Sequence, residues 1–568
     1  MASSEPRYAV GVDYGTNSVR ALIVEVGAGR EIASRVFAYP SGEDGILLDP
    51  RDPNVARQNP ADYIAGFYAA VGGAVKRARA KKGFDPARVA GIGVDTTGST
   101  PLPVNRHGTP LALLPKFKEN LAAQAWLWKD HTAHEEAAAI TAASRRAGAP
   151  YLDKCGGAYS SEWFWSKIRH CQRTAPAVFA AAFSWVECCD FIPAYITGNL
   201  DPLTMKRSIC AAGHKAMYND GWGGLPSKKF LARLSPELAA LRDRLYQRAE
   251  TSDQVAGRLL PEVAKSVGLP AGIPVAVGAF DAHMGAVGAG IKPGTLVKII
   301  GTSTCDMMVA PAGTELADIP GVCGIVPGSI VPGMYGIEAG QSAVGDIFNW
   351  FVAHLTPPEY ATGDAHSNLS RAAARLKPGE SGLLALDWNN GNRTILVDPL
   401  LTGLLVGQTL HTTAPEIYRA LIEATAFGAL TIVRRIEEYG VAVKEVVNCG
   451  GIAEKNPLVM QIYADVTGRT MEVSRSAQTC ALGAAMAGAV VAGRAAGGYE
   501  NFAQAQKAMS GLKAKTYKPD EKARAIYTQL YPLYRQLHDA FGTKDWNGNL
   551  YNVMKKLLEI RHSVRGKD

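Results

Sequence analysis

Apolar positions along this chain first alternate, then recur at helical spacing, and the same succession comes twice. The opening reads YAVGVDYGT and then SVRALIVEV, two period-two runs joined by a polar turn, with a third run over 31–39. Such alternation predicts a three-stranded meander. After a Pro-rich loop, Asn59-Pro60 starts a helix in which Tyr63, Ile64, Phe67, Tyr68, Val71 and Val75 return every three or four residues, and Gly83 marks its end. VAGIGVDTTGSTPLPVN then predicts a buried strand, a polar loop and a short strand reaching Asn105. In the second half, TLVKIIGTSTCDMMVA and the runs around Gly324 to Gly336 repeat the meander, and a helix is expected from Gly340. A longer helix from Pro415 to Tyr439 is capped by Thr413 and closed by Gly440, ahead of the buried strand EVVNCGG.

The repetition is one of pattern, with faint identity between the halves. Strands and helices in this order match the ribonuclease-H-like unit of the actin-like ATPases, so the predicted fold class is α/β, with two such domains and a cleft between them. The expected division is 1–285, 286–498 and a helical, polar appendage at 499–568. Between the two halves, GAVGAGIKPG (285–294) has the glycine density of a hinge. The stretch 481–493, ALGAAMAGAVVAG, is too short and too rich in small residues for a membrane span and reads as a close-packed internal helix.

Length supports two large lobes, since 568 residues exceed what one core serves. A hydrophobic fraction of 47% and a charged fraction of 20% exclude a disordered chain. The net charge of +8 is spread along the sequence, apart from Lys555, Lys556, Arg561, Arg565 and Lys567 near the end. No aromatic-interleaved basic stripe points to nucleic acid. The 9 cysteines form no C-x-x-C pair, which suits reduced thiols, and MASSEPRYAV shows no secretory signal; the expected location is cytoplasmic, with no membrane partner.

Two turns carry the candidate chemistry. In Asp13-x-Gly15-Thr16-Asn17-Ser18, glycine lets backbone N–H groups approach a phosphate and the hydroxyls donate to it, while Asp13 faces a metal ion and Arg20 on the returning strand adds a permanent cation. Gly301-Thr302-Ser303 repeats the device. One such motif alone is also an ordinary hairpin; the pair suggests two clamps on one polyphosphate. Asn448-Cys449-Gly450-Gly451, followed by Asn456-Pro457, places amides and a polar side chain at a helix start. Asp281 in GAFDAH is the candidate carboxylate for taking a hydroxyl proton, its plain alternative being a helix cap. Asp130, His131 and His134 lack a third ligand at zinc spacing and read as structural or rim residues, and Trp163 and Trp165 as core or cleft wall. Walker A, G-x-G-x-x-G and protein-kinase motifs are absent from the sequence.

The elements GVDYGTNSVRALIV, VDTTGSTPLP, LWKDHTAHEEA, GGAYSSEWFWSKI, AAGHKAMY, VAVGAFDAHMGAVG, IIGTSTCDM, YGIEAGQSAVGDIFNW and NCGGIAEKNPLVMQIYADVTG together resemble the FGGY carbohydrate kinases over nearly the whole chain. LWKDHTAHEEA, AGHK and GIEAGQS resemble the branch acting on L-ribulose. The resemblance implies ATP-dependent phosphorylation of L-ribulose to L-ribulose 5-phosphate, a step of L-arabinose catabolism, with Mg²⁺ on Asp13 and Asp281 as general base. It implies sugar contacts from Lys215, Glu338, Asp281 and the backbone at Gly98, where relatives carry other small residues and a side-chain change is expected to be tolerated. Phosphate contacts fall to Gly15, Thr16, Asn17, Ser18, Arg20, Gly301 and Thr302, and nucleotide contacts to Gly345, Gly451 and Asn456, with Asn349 a looser match. Its partners would be the sugar and ATP, a homodimer being compatible. Other ketopentoses or polyols (D-ribulose, ribitol, L-xylulose) stay open as substrates, and so does a non-catalytic actin-like ATPase.

Overall fold

The computed structural model describes residues 5–566; Lys567 of the basic tail lies outside them. Strand β1 (Tyr8–Tyr14) pairs antiparallel with β2 (Ser18–Glu25), and β2 with β3 (Arg30–Ala38), as the alternation predicts. Helix α1 (Pro60–Arg79) starts at Asn59, whose side chain accepts from the Ala61 amide, and ends four residues before Gly83. It buries Tyr63, Phe67, Val71 and Val75 against this sheet. Strand β4 (Val89–Thr96) then lies parallel to β1 on the other side. The sheet is completed by β5 (Val255–Arg258), β6 (Pro274–Ala276) and the two-residue β7 (Ala279–Phe280), giving the order β5-β6-β4-β1-β2-β3 with β7 beside β4.

The second sheet repeats the plan. Strand β8 (Thr295–Ile300) pairs antiparallel with β9 (Thr304–Pro311), and β9 with β11 (Met334–Ala339), whose outer neighbour is β10 (Gly324–Pro327). On the far side of β8 come β12 (Glu445–Cys449) and β13 (Met471–Val473), both parallel. In each sheet a meander is extended by parallel strands next to its first strand, the duplicated α/β arrangement expected from the pattern.

Two short helices join the halves, and here the sequence expectation needs correction. Helix α3 (Asp281–Gly288) contains the predicted boundary, so Gly285 and Gly288 belong to a helix rather than to a flexible linker. They serve close packing: a Cβ on Gly288 would overlap the Thr479 carbonyl, and one on Gly483 the Met284 carbonyl. Helix α8 (Thr479–Ala492), which follows the second sheet in sequence, lies across the first, where Gly11, Gly91 and Gly93 would collide with its backbone if they carried a Cβ. Small residues on both partners let two backbones touch, so α8 locks the halves together.

The long helix α6 (Ala414–Glu438) has the Thr413/Glu416 capping box and is buried along most of its length. Helix α9 (Glu521–Gly542), in the segment expected to be a polar appendage, puts Tyr527, Leu530, Tyr531, Tyr534 and Leu537 into the core of the second half. Its Tyr527 hydroxyl donates to Glu423 and its Tyr534 hydroxyl to Asp387. Among the described residues no helix is long and apolar enough to cross a membrane. All nine cysteines are free.

Candidate active site

Strand register assembles the chemical centre. Parallel pairing sets Asp13 of β1 directly beside Asp95 of β4, and β7 pairs Ala279 with Asp95 and Phe280 with Thr96, so the chain turns into α3 at Asp281 just beyond. Because side chains alternate along a strand, Gly11 and Asp13 share one face with Gly91, Gly93 and Asp95, the face that α8 covers. Three carboxylates thus converge at the C-terminal edge of the sheet. Asp281 is the first helical residue, and its Oδ1 accepts from the Ala282 amide at 2.6 Å. Arg20 approaches Asp13 at 3.6 Å.

The electrostatics follow from crowding of like charge in a poorly solvated place. Burial raises Asp13 despite the lowering influence of Arg20. Asp281 is lifted to about 7, by desolvation first and by Asp13 second. Burial, followed by Asp13 and Asp281, pushes Asp95 well above the usual carboxylate range. The sequence reading passed over Asp95. Its signal was present, an acidic residue closing an otherwise apolar strand that would lie beside Asp13, but alternation alone does not reveal which strands are neighbours.

Opposite this centre, the end of helix α2 (Ile209–Lys215) meets β11. Lys215 is buried and donates to both oxygens of Glu338, at 2.9 and 3.0 Å. Desolvation is the largest influence on Lys215 and opposes its charge, but the attraction and hydrogen bonds of Glu338, together with Cys323, raise it on balance; Lys215, His214 and His283 hold Glu338 below the usual carboxylate range against its own burial. Two buried imidazoles flank the pair: His214 Nδ1 lies 3.4 Å and His283 Nε2 3.8 Å from Glu338. Burial keeps both neutral, lowering His283 to about 4. Both nitrogens of His283 and Nδ1 of His214 lack hydrogen-bond partners. Neither histidine stood out in the sequence.

The Gly98 loop is tied from behind. Lys167 Nζ donates to the carbonyls of Ser99 (2.8 Å), Trp126 (3.2 Å) and Leu127 (2.9 Å), while Glu187 accepts from the Thr100 amide at 2.8 Å and from the Ser99 hydroxyl. A Cβ at Gly98 would run into the Phe280 ring. The expected tolerance to side chains at Gly98 therefore does not hold here without moving Phe280. Asp130 is buried, pairs with Arg57 and accepts from the Ala56 amide at 2.8 Å, a structural arrangement. His131 sits 4.0 Å from Glu162, and His134 opens an exposed helical turn.

Each glycine–threonine turn is closed by its glycine amide, with the second one residue tighter: Gly15 donates to the Ser18 carbonyl and Gly301 to the Ser303 carbonyl, each at 2.9 Å. In the first, Thr16 Oγ1 accepts from the Trp128 indole at 3.1 Å, and Asn17 donates to the Asp44 carbonyl at 2.7 Å. In the second, Gly301 and Thr302 open onto a cavity of about 1080 Å³ that Gly345, Asn349, Gly451 and Asn456 also line. Five residues singled out for nucleotide or phosphate, and the looser Asn349, thus share one cavity. The first turn is not among its walls. A Cβ at Gly345 would crowd the Gly301 carbonyl. Asn456 caps helix α7 (Pro457–Thr467) by accepting from Val459 at 3.2 Å, and donates to Ser370 at 3.2 Å. Phe348, His366, Ser370, Arg371 and Tyr418 are among the other wall residues and were not foreseen, because loop length hides their approach.

Two glycine–threonine turns, a cavity of nucleotide size beside the second, and buried carboxylates at the edge of the first sheet are compatible with a two-lobed small-molecule kinase. The model of the FGGY carbohydrate-kinase N-terminal domain matches residues 8–288 and that of the C-terminal domain residues 296–492, and the chain belongs to the FGGY family of carbohydrate kinases. It is 42% identical over 571 residues to a ribulokinase of Geobacillus thermodenitrificans, covering 98% of each chain, and 42% identical over 573 residues to a ribulokinase of Mycolicibacterium smegmatis, again 98% of each. Among solved structures it is similar to xylulose kinase from Rhodospirillum rubrum (TM-score 0.74, 23% identity, 94% of this chain and 99% of that one). It is also similar to Plasmodium falciparum glycerol kinase with ADP (TM-score 0.74, 15% identity, 94% and 98%). These two support the two-lobed fold.

Proposed function

We propose that this carbohydrate kinase transfers the γ-phosphoryl group of ATP to the terminal hydroxyl of L-ribulose, giving L-ribulose 5-phosphate. The observation that carries the reading is the buried polar cluster of Lys215, Glu338 and Asp281, in a chain that is 42% identical along nearly its whole length to ribulokinases. In this reading Lys215 donates to sugar oxygens, and Glu338 and the Gly98 backbone fix the remaining hydroxyls. Sealing them without partners would cost about 1–3 kcal/mol each.

Asp281 accepts the proton of the attacking hydroxyl. Its carboxyl, raised to about 7, is matched to the task, since a base is most effective when it titrates near the working pH. Gly301, Thr302, Gly345, Gly451 and Asn456 hold ATP in their cavity, while Gly15, Thr16, Asn17, Ser18 and Arg20 approach the phosphates from the other lobe. Asp13, an oxygen donor at the sheet edge beside Arg20, has the ligand chemistry of a hard divalent cation and would hold Mg²⁺, which neutralises phosphate charge when bound. Closure of the pocket excludes water, a competing phosphate acceptor.

Steady-state ADP release with L-ribulose, D-ribulose, L-xylulose and ribitol tests the assignment. The highest kcat/KM is expected for L-ribulose. A clear preference for another acceptor would reassign the substrate, and ADP release indifferent to every sugar would remove the kinase reading of this pocket.

A further inference from the structure

Two imidazoles beside the Lys215–Glu338 pair have no part in the sugar contacts assigned above. His214 and His283 are each 1% exposed, and His214 Nδ1 and both nitrogens of His283 have no hydrogen-bond partner. The remaining nitrogen fixes a tautomer. His214 Nε2 lies 3.0 Å from the Ser329 hydroxyl, which donates its own hydrogen to the Val326 carbonyl at 3.1 Å. Ser329 can therefore only accept, the proton of the neutral ring sits on Nε2, and Nδ1 turns a bare lone pair toward Glu338 Oε2, 3.4 Å away. A lone pair set against a carboxylate with no hydrogen between them is a costly contact in so sealed a place.

The spacing is that of a coordination sphere. One ligand atom from each of His214, His283 and Glu338 falls within 4.8 Å of the other two, and His214 Nδ1 and His283 Nε2 lie 3.4 and 3.8 Å from the same carboxylate oxygen. A tetrahedral ion bonded at about 2.1 Å keeps its ligand atoms about 3.4 Å apart. Two neutral nitrogen donors and one carboxylate suit a borderline cation such as Zn²⁺, whereas Mg²⁺ takes oxygen. The contact of His214 with Ser329 is the outer hydrogen bond that holds a metal-binding imidazole in the right tautomer. The Lys215 and Glu338 side chains each keep 6% exposure, so the cluster is not shut off from solvent. Lys215 bonds both oxygens of Glu338 and Arg393 bears on the same carboxylate, so an arriving dication shares Glu338 with cations already present and is held reversibly.

We infer that His214 Nδ1, His283 Nε2 and Glu338 form a reversible site for a transition metal of the Zn²⁺ class, whose occupant takes Glu338 from the sugar and so inhibits phosphorylation. Binding stands on these three side chains alone. The inhibition rests on the kinase reading, which gives Glu338 to the sugar.

Zn²⁺ titrated into the nucleotide-free full chain against a chromogenic chelator, with Mg²⁺ in excess to fill any oxygen-donor site, tests the binding apart from activity. One ion per chain is expected. Affinity should fall about tenfold or more in His283→Gln, since an outer-shell partner alone is worth that much, and should hold in His354→Gln, which alters an exposed histidine elsewhere. X-ray absorption by the zinc-loaded parent reads the ligands directly and decides them should His283→Gln fail to fold: two imidazoles with oxygen are expected, and sulfur would place the ion on cysteine. In the kinase assay Zn²⁺ should raise KM for the sugar, leave KM for ATP unchanged and spare kcat at saturating sugar. A parent that binds no zinc, a zinc shell with sulfur or without imidazole, a smaller affinity change in His283→Gln, an equal one in His354→Gln, or inhibition that saturating sugar does not relieve overturns the inference. Sugar phosphorylation by the zinc-free parent is measured separately, so failure here and failure of the kinase reading are distinguishable.

Discussion

Replacing Asp281 by asparagine keeps the shape of the side chain and removes its capacity to take a proton. The amide oxygen can still accept from the Ala282 backbone at the start of α3, so the local turn has no reason to change. Loss of general-base catalysis is worth about 10²–10⁴-fold in kcat, while nucleotide binding, built from Gly301, Thr302, Gly345, Gly451 and Asn456, should be retained. The same substitution carries a stability signature. In the folded protein the Asp281 carboxyl titrates at about 7 against 3.8 for an unperturbed one. Between those values the folded state holds more protons than the unfolded chain, so this group withdraws stability as pH rises through the window, and the loss is complete above it. For a fully sealed group that difference amounts to roughly 4 kcal/mol; Asp281 keeps some contact with solvent, which trims it to about 2 kcal/mol. Asp281→Asn should therefore be more stable than the parent in the ligand-free state, with a gain that grows from pH 4 to pH 7 and then levels off. Calorimetric melting at pH 5 and pH 8, alongside coupled ADP-release kinetics and nucleotide titration, measures all three. Retained kcat refutes the assigned base, and a variant less stable than the parent at pH 8 refutes the account of its electrostatics.

Glu338→Gln leaves the buried Lys215 ammonium without its counter-charge, so a stability loss of about 3–5 kcal/mol is expected in thermal melts. Its KM for sugar should rise at least tenfold with that for ATP little changed; the opposite split would move Glu338 out of the sugar pocket. Thr302→Val removes a hydroxyl from the nucleotide cavity and should raise KM for ATP several-fold at constant sugar KM, which two-substrate kinetics resolves. Gly483→Val would drive a side chain into the Met284 carbonyl where α3 and α8 cross, and a destabilisation above about 3 kcal/mol is expected. An unchanged melting point would mean that the two helices do not meet as described.

Much of this protein was legible in one dimension because local periodicity records which face of an element is covered. The alternation over residues 8–38 gave the first meander, Asn59-Pro60 the start of α1, and the Thr413/Glu416 box the start of α6. Turn chemistry likewise exposed Gly15–Ser18 and Gly301–Ser303, since a tight hairpin demands particular residues at particular places. What the sequence left undecided depends on which elements become neighbours. Asp95 gains its meaning only from lying beside Asp13 across two parallel strands, and His283 only from facing Glu338 across the cleft. The glycines of 285–288 look like a hinge until α8 is seen to press against them. Residues beyond 499 look like a polar tail until Tyr527 and Tyr534 are found bonded to Glu423 and Asp387. Periodicity is a property of one segment and its environment, whereas juxtaposition is settled by the global packing of small residues against backbone, and that information is spread over the entire chain.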